Sequence, residues 1–361
     1  MRLAHGVVAA LASAVLFGLS APAAKLLVGT TDPWLLAGLL YLASGIGLGG
    51  VRVAQRLVGP PAEAPLAIRD LPRLAGAIVT GGVIAPVLLM FGLASGSAAQ
   101  TSLLLNLEGV LTALLAWGVV REHVDARIAT GMAAIAAGAL VLAWQPGAAF
   151  SLDRSSLFVV GACLAWAIDN NLTRGVSGGD PVQIAAWKGA GAGTVNVAIA
   201  IAGGATWPGL LVVIGAAMVG LLGYGTSLAL FVRALRDLGS ARTGAYFSTA
   251  PFVGAAAAVI AMHEPVRFAL VVAALLMGLG VWLHLTERHA HEHVHEALGH
   301  DHVHRHDEHH AHEHTPAVGR AEPHAHWHVH RPLRHSHPHY PDLHHRHPHW
   351  RGSDPTSAPD A

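Results

Sequence analysis

Ten runs of roughly twenty mostly apolar residues dominate the first 285 positions of this chain, at about 6–28, 34–54, 74–95, 98–119, 127–145, 155–175, 182–203, 209–234, 240–262 and 266–285. A helix that crosses the hydrocarbon core of a bilayer needs about 20 such residues, because the core is about 30 Å thick and a helix rises about 1.5 Å per residue. Backbone groups left unpaired in lipid are costly, so segments of this kind must be helices or strands of a closed barrel. The runs lack the alternation of a barrel strand. The expected fold class is therefore all-α integral membrane, with ten transmembrane helices and a lipid bilayer as the first partner. A composition 53% hydrophobic and 12% charged agrees with this.

The averages conceal a boundary near Thr286. Residues 1–285 hold 15 Lys+Arg and 11 Asp+Glu, while 286–361 hold 7 and 11, so the net zero is +4 cancelling −4. The break also divides the histidines: 23 of the 27 lie at or beyond His289. Cys163 is the only cysteine, which excludes an intramolecular disulfide and a thiolate-rich metal site within one chain. The apolar run at the N-terminus is too long for a typical signal peptide and further spans follow, so it reads as an uncleaved first helix.

Assigning alternate loops to opposite sides puts Arg2, Arg52, Arg56, Arg69, Arg73, Arg121, Arg127, Arg174, Lys188, Arg233, Arg236 and Arg242 on or near one face. Only Lys25, Arg154 and Arg267 fall on the other. The positive-inside rule makes the first face cytoplasmic. Both termini, and the tail, are then expected inside a cytoplasmic or inner membrane.

The chain also matches itself. A shift of 142 residues sets Ala99-Gln100-Thr101 on Ala241-Arg242-Thr243, and Arg121-Glu122-His123-Val124 on His263-Glu264-Pro265-Val266; earlier in each half a shift of 149 sets Phe17 and Lys25 on Trp166 and Arg174. The expected division is 1–148, 149–285 and a His-rich tail at 286–361. Each half holds five spans, an odd number, so the second copy must lie upside down relative to the first. Secondary transporters alternate access around sites built by such inverted repeats.

These residues resemble the drug/metabolite transporter superfamily with its paired EamA domains, over essentially all of 6–285. The resemblance rests on the aromatic-to-basic spacings Phe17…Lys25 and Trp166…Arg174. It also rests on Asn106-Leu-Glu-Gly-Val…Glu122 with Gly131…Gly138, and on Ser248-Thr-Ala-Pro-Phe…Glu264 with Gly278…Gly280. It implies a transporter of a small solute working by alternating access. The first half departs from the pattern with Glu108-Gly109 where the second keeps Ala250-Pro251.

Ionisable side chains at membrane depth cost about 2.5–3.5 kcal/mol on insertion scales, so those that remain there line a cavity or have a partner. Glu108 and Asp169 are the clearest cases. Spacings of seven and four put Thr101, Glu108 and Thr112 on one helical face, and spacings of three and four do the same for Trp166, Asp169 and Thr173. Asn106, Asn170, Asn171 and Lys188 add polarity to the expected pathway, in which the two acids carry protons or bind a cationic substrate. In the alternative reading one or both acids pair permanently with Lys188 or Arg174 and fix helix packing. Glu122 and Glu264, at turns between helices, are expected to cap or shape those turns. Pro22, Pro86 and Pro251 are expected to kink or interrupt their helices.

The tail is read as a disordered segment. Within it, histidine recurs at every second position: His291, His293 and His295; His300, His302, His304 and His306; His324, His326, His328 and His330; His335, His337 and His339. Neutral imidazole suits zinc, nickel, cobalt and copper(II), so these residues are the candidate metal ligands. The membrane part shows no cofactor loop, no nucleophile-base arrangement and no phosphate-binding Gly-x-x-x-x-Gly-Lys, which argues against an enzyme and against ATP-driven transport by this chain alone. The expected function is secondary transport of a small solute, coupled to protons or by exchange. The alternatives are a divalent transition-metal (Ni, Co or Zn) transporter and a membrane-anchored metal-binding or sensing protein. Homodimer formation is compatible with all three, and no nucleic-acid partner is expected.

Overall fold

The computed structural model describes residues 2–58, 66, 68–120, 126–144, 153–174, 176, 180–238, 243, 246–286, 290–295, 298–304, 324–330 and 333–338. Up to Thr286 the described secondary structure is helical: α1 (Arg2–Val28), α2 (Pro33–Val58), α3 (Leu71–Ala77), α4 (Ala85–Ser95), α5 (Ala98–Leu104), α6 (Leu107–Val120), α7 (Ala126–Ala143), α8 (Arg154–Arg174), α9 (Pro181–Ala202), α10 (Leu210–Val219), α11 (Ser227–Leu238), α12 (Ala250–Met262) and α13 (Phe268–Leu285). Among the described residues, eight continuous helical stretches are long and apolar enough to cross a membrane. Two shorter apolar helices, α12 and α13, lie where the ninth and tenth spans are expected.

The reason for the short ninth helix is local. Residues 248 and 249 form a turn rather than helix, the Thr249 hydroxyl donates back to Tyr246 O (2.6 Å), and Pro251 lacks an N–H to continue the ladder. The fourth expected span also breaks, between α5 and α6 at Leu105-Asn106. At the break Leu103 O accepts from both the Asn106 backbone N–H (3.1 Å) and its Nδ2 (2.9 Å), while Leu104 O accepts from the Cys163 thiol at 3.6 Å. Both carbonyls therefore keep a partner.

Two further departures from regular helix are wide turns. α3 and α4 are joined by a π-helical segment, Ile78–Ile84, and α10 and α11 by another, Gly220–Thr226. Each leaves an i→i+5 bond at its end, from Ala85 N–H to Thr80 O and from Ser227 N–H to Leu222 O. Both segments are rich in glycine, which tolerates the change of pitch and lets neighbours approach.

The helices pack in a definite pattern. α2 packs on α9, α7 on α13, and α5 on α12; α1 packs against α11 and α12, while α8 packs against α4 and α6. Small residues set the closest contact: a Cβ on Gly45 would lie 2.2 Å from Ala190 N, and one on Gly193 would lie 2.4 Å from Leu42 N. Only glycine allows α2 and α9 to meet backbone to backbone. The outward faces carry large apolar side chains such as Leu57, Leu211 and Phe268, each more than four-fifths exposed. Such surface is stable against acyl chains and not against water.

β1 (Ala290–His295) pairs antiparallel with β4 (Leu333–Pro338), and β2 (Leu298–His304) with β3 (His324–His330). The His-x-His alternation has a period of two, which is the strand's own period and not the helix's.

Candidate functional site: a polar route past Glu108 and Asp169

Asp169 is 4% exposed on α8. Lys188 Nζ, from α9, donates to both of its carboxylate oxygens at 2.6 and 2.7 Å. Thr173 Oγ1 donates to Asp169 Oδ1 (2.8 Å) and lies 3.2 Å from the same Nζ, so the three side chains form one closed unit. The π-turn of the third span covers it: a Cβ on Gly81 would sit 1.8 Å from Asp169 Oδ2. A carboxylate at this depth is compatible with the fold because it is fully partnered.

Glu108 is placed differently. It opens α6 immediately after the break and is half-buried. Its partner is a neutral amide, Asn170 Nδ2, at 2.8 Å, and the same nitrogen reaches Thr112 Oγ1 at 3.3 Å. Lys188 is engaged by Asp169 instead. Asn171 Nδ2, one residue on, donates to Ala167 O (2.9 Å) and Thr112 O (3.3 Å), tying α8 to α6. Asn170 is exposed, and an exposed amide within a membrane helix is stable where water reaches it.

The wall beside these acids is aromatic. Tyr41 Oη (2.9 Å) and Trp166 Nε1 (3.0 Å) both donate to Gly81 O, a carbonyl within the π-turn, and Asn196 Nδ2 donates to Gly82 O at 3.1 Å. Tyr41 stacks at a tilt on Tyr224 (centroids 5.4 Å), Tyr224 meets Phe17 edge-on (6.0 Å), and Phe17 continues to Phe247 (5.3 Å). The chain of rings connects spans of both halves.

The structure therefore brings together Glu108, Asn170, Asn171, Asp169, Lys188 and Trp166 from the expected set. Thr101 and Asn106 stand apart in role: Thr101 is buried on α5, and Asn106 is engaged in the helix break with Leu103 O and the Met277 sulfur (3.8 Å). The break between α5 and α6 falls between Thr101 and Glu108 of the expected stripe. Thr112 does join Glu108, through Asn170. Tyr41, Tyr224 and the Gly81 carbonyl were not expected; a tyrosine in an apolar run carries no signal until a freed carbonyl is placed opposite it. Among the described side chains no group of three His, Cys, Asp or Glu is placed to hold a metal ion. Of the candidate tail ligands, His306 and His339 lie outside the described residues, and the side chains of the others do too.

Charged groups also fasten the ends of the helices. Glu264 reaches across the bundle to the N-terminus of α5, accepting from Ser97 Oγ (2.5 Å), Ala98 N (2.8 Å) and Ala99 N (2.9 Å). It is a cap, as expected, but of another helix rather than its own. His263, before it, adopts the left-handed conformation (φ 55°) that turns the chain back. Lys25 Nζ closes the other side of the same corner by donating to the carbonyls of Leu93 and Gly96 at the end of α4. Anion at a helix start and cation at a helix end both complement the helix dipole. Near the opposite end, Arg52 pairs with Asp180, and Gln183 Oε1 accepts from Arg52 and from Leu66 N (3.3 Å each). Glu122 lies outside the described residues. Removing the Glu264 carboxylate by substitution with Ala is expected to destabilise the protein by about 1–2 kcal/mol, since three donors lose their acceptor. A lowered unfolding midpoint of purified protein in detergent checks this, and an unchanged midpoint contradicts it.

The EamA-like transporter family model matches twice, over residues 4–144 and 154–286. The chain belongs to the EamA-like transporter family. It is accordingly a multi-pass membrane protein and a transporter of a small solute, which fits the drug/metabolite transporter superfamily. It is 25% identical over 297 residues to a protein of Methanothermobacter thermautotrophicus (strain Delta H) named "Uncharacterized transporter", a match that covers 78% of this chain and 87% of that one. A crystal structure also superposes with a TM-score of 0.56 at 16% identity, covering 77% of this chain and 95% of its own, a likeness of fold alone.

Proposed function

We propose that this EamA-family protein is a secondary transporter whose two halves, 1–148 and 149–285, are inverted five-span repeats giving alternating access to a polar route past Glu108. In this reading α12 and α13 are the cores of the ninth and tenth spans. Supporting the repeat, the two π-turns are displaced by 220 − 78 = 142 and 226 − 84 = 142 residues, the same shift that aligns the two helix-connecting motifs. The packing pattern also maps onto itself when the halves are exchanged: α2 on α9 and α7 on α13 are self-matching pairs, and α1 on α11 and α12 corresponds to α8 on α4 and α6. The distribution of Arg and Lys supports a cytoplasmic or inner membrane with both termini inside.

The observation that carries the mechanism is the unequal state of the two acids. Asp169 and Lys188 cancel, whereas Glu108, among the described residues, is an acid at this depth held by neutral donors. A single uncompensated carboxylate between two helices must take a proton or a cation before it can be enclosed by lipid-facing structure. Transport coupled to protons, or exchange of one cation for another, follows from that requirement. The tail histidines favour a second reading in which the carried cation is a divalent transition metal.

The test is a solute screen on proteoliposomes by solid-supported-membrane electrophysiology, with amines, amino acids, nucleosides and divalent metals as separate arms and with and without an imposed proton gradient. A solute-dependent current that disappears in Glu108→Gln supports the reading. The same current in wild type and Glu108→Gln, or none from any arm, rejects it; a current from the metals alone selects the second reading.

A further inference from the structure

We infer that Lys25 and Glu264 fasten the outer end of the route shut in the state seen here, with the inner end open; the inference rests on the alternating access proposed above. Both charges come from one unit: α1 carries Lys25, α12 leads into Glu264, and the two helices pack on each other. Both land on one short connection, between α4 and α5. Lys25 Nζ donates to Leu93 O and, at 2.8 Å, to Gly96 O, while Glu264 accepts from Ser97 Oγ, Ala98 N and Ala99 N. Such charge-assisted bonds are about twice as strong as neutral ones. The connection itself is anchored to the first half and to α8 by neutral groups. Ser155 Oγ donates to Gly92 O (2.8 Å), and Gln100 Nε2 donates to Leu142 O (2.9 Å) and Ser156 Oγ (3.0 Å). The distribution of Arg and Lys puts this end outside.

The packing of the unit is one-sided. Among the described residues α12 packs against α5, and α1 against α4 and α5, and neither packs comparably on α6 or α8. The fourth span is divided between α5 and α6, so the unit touches its outer part and stands away from its inner part, where Glu108 meets Asn170 of α8. Exposure follows the same division. Val159, Cys163, Trp166 and Asn170 share a face of α8, by steps of four, three and four. The first two are fully buried, Trp166 is 7% exposed, and Asn170 is exposed. Water therefore reaches Glu108 from the inner end and stops at Trp166. Opening outward requires the α1–α12 unit to rock about α5 onto α6 and α8, and that motion parts both charges from the connection. Substituting either charge weakens the state closed at the outer end, because in the other state water solvates the freed groups.

The experiment compares the full chain with Glu264→Gln and, separately, Lys25→Met, each carrying Thr112→Cys and Cys163→Ser as the reporter. A membrane-impermeant maleimide is applied to right-side-out and to inside-out vesicles. The parent is expected to react faster from the inner side. Each variant is expected to react faster from the outer side and more slowly from the inner, shifting the ratio of the two rates by about tenfold or more. A capping role confined to stability moves both rates together, so a joint rise would overturn the inference. A parent labelled from both sides, with a ratio that neither variant moves, would leave the alternating route standing and remove only the fastening. A reporter labelled from one side alone in parent and variants would remove the route and the fastening together. The second variant acts on the other charge, so the comparison survives if Glu264→Gln fails to fold.

Discussion

Glu108→Gln is expected to lower transport of the carried solute by at least about tenfold, which corresponds to about 1.4 kcal/mol or more, and to remove its dependence on an imposed proton gradient. The substitution keeps an oxygen in place to accept from Asn170 Nδ2, so the contact between α6 and α8 survives. What it removes is the negative charge and the capacity to bind a proton. The unfolding midpoint should therefore stay close to that of the parent while transport falls. If the variant transports normally and still responds to pH, Glu108 is a packing residue and the coupling scheme fails.

Asp169→Asn is expected to do the reverse, lowering stability first. It leaves the Lys188 ammonium, whose side chain is 18% exposed, without its carboxylate. Breaking a buried ion pair on one side costs about 3–5 kcal/mol, because the remaining charge is stranded, whereas replacing both partners with apolar groups is often close to neutral. The double variant Asp169→Asn with Lys188→Met should therefore regain most of the lost stability. Unfolding in graded denaturing detergent measures both. A single variant as stable as the parent would show that the pair is not the closed unit described, and a double variant no better than the single would point to lost packing against Gly81 rather than to stranded charge.

These opposite expectations for two acids were only half visible before the fold was in hand. Periodicity places Glu108 and Asp169 at membrane depth, and chemistry says that each needs a partner. Which acid receives Lys188 depends on how α8 and α9 both pack against the π-turn Ile78–Ile84; in a single sequence, glycine runs say only that close packing is allowed. The helices themselves were legible because lipid imposes one length and one hydrogen-bonding solution on any span. Their interruptions were less so. The break at Leu105-Asn106 has neither proline nor glycine to announce it; the Asn106 amide and backbone N–H both donate to Leu103 O there. The π-turns leave no mark beyond glycine content, yet the carbonyls of Gly81 and Gly82 organise Tyr41, Trp166 and Asn196 around them.

The most direct measurement of the central claim is the accessibility of a single cysteine introduced at Thr112, beside Glu108 and Asn170, in a Cys163→Ser background. A membrane-impermeant maleimide would be applied from each side of the membrane across a range of pH. Two inverted halves that open in turn predict labelling from both sides, with the change in pH that speeds reaction from one side slowing it from the other. Labelling from neither side, or from one side at a rate indifferent to pH, would contradict a route that alternates past Glu108.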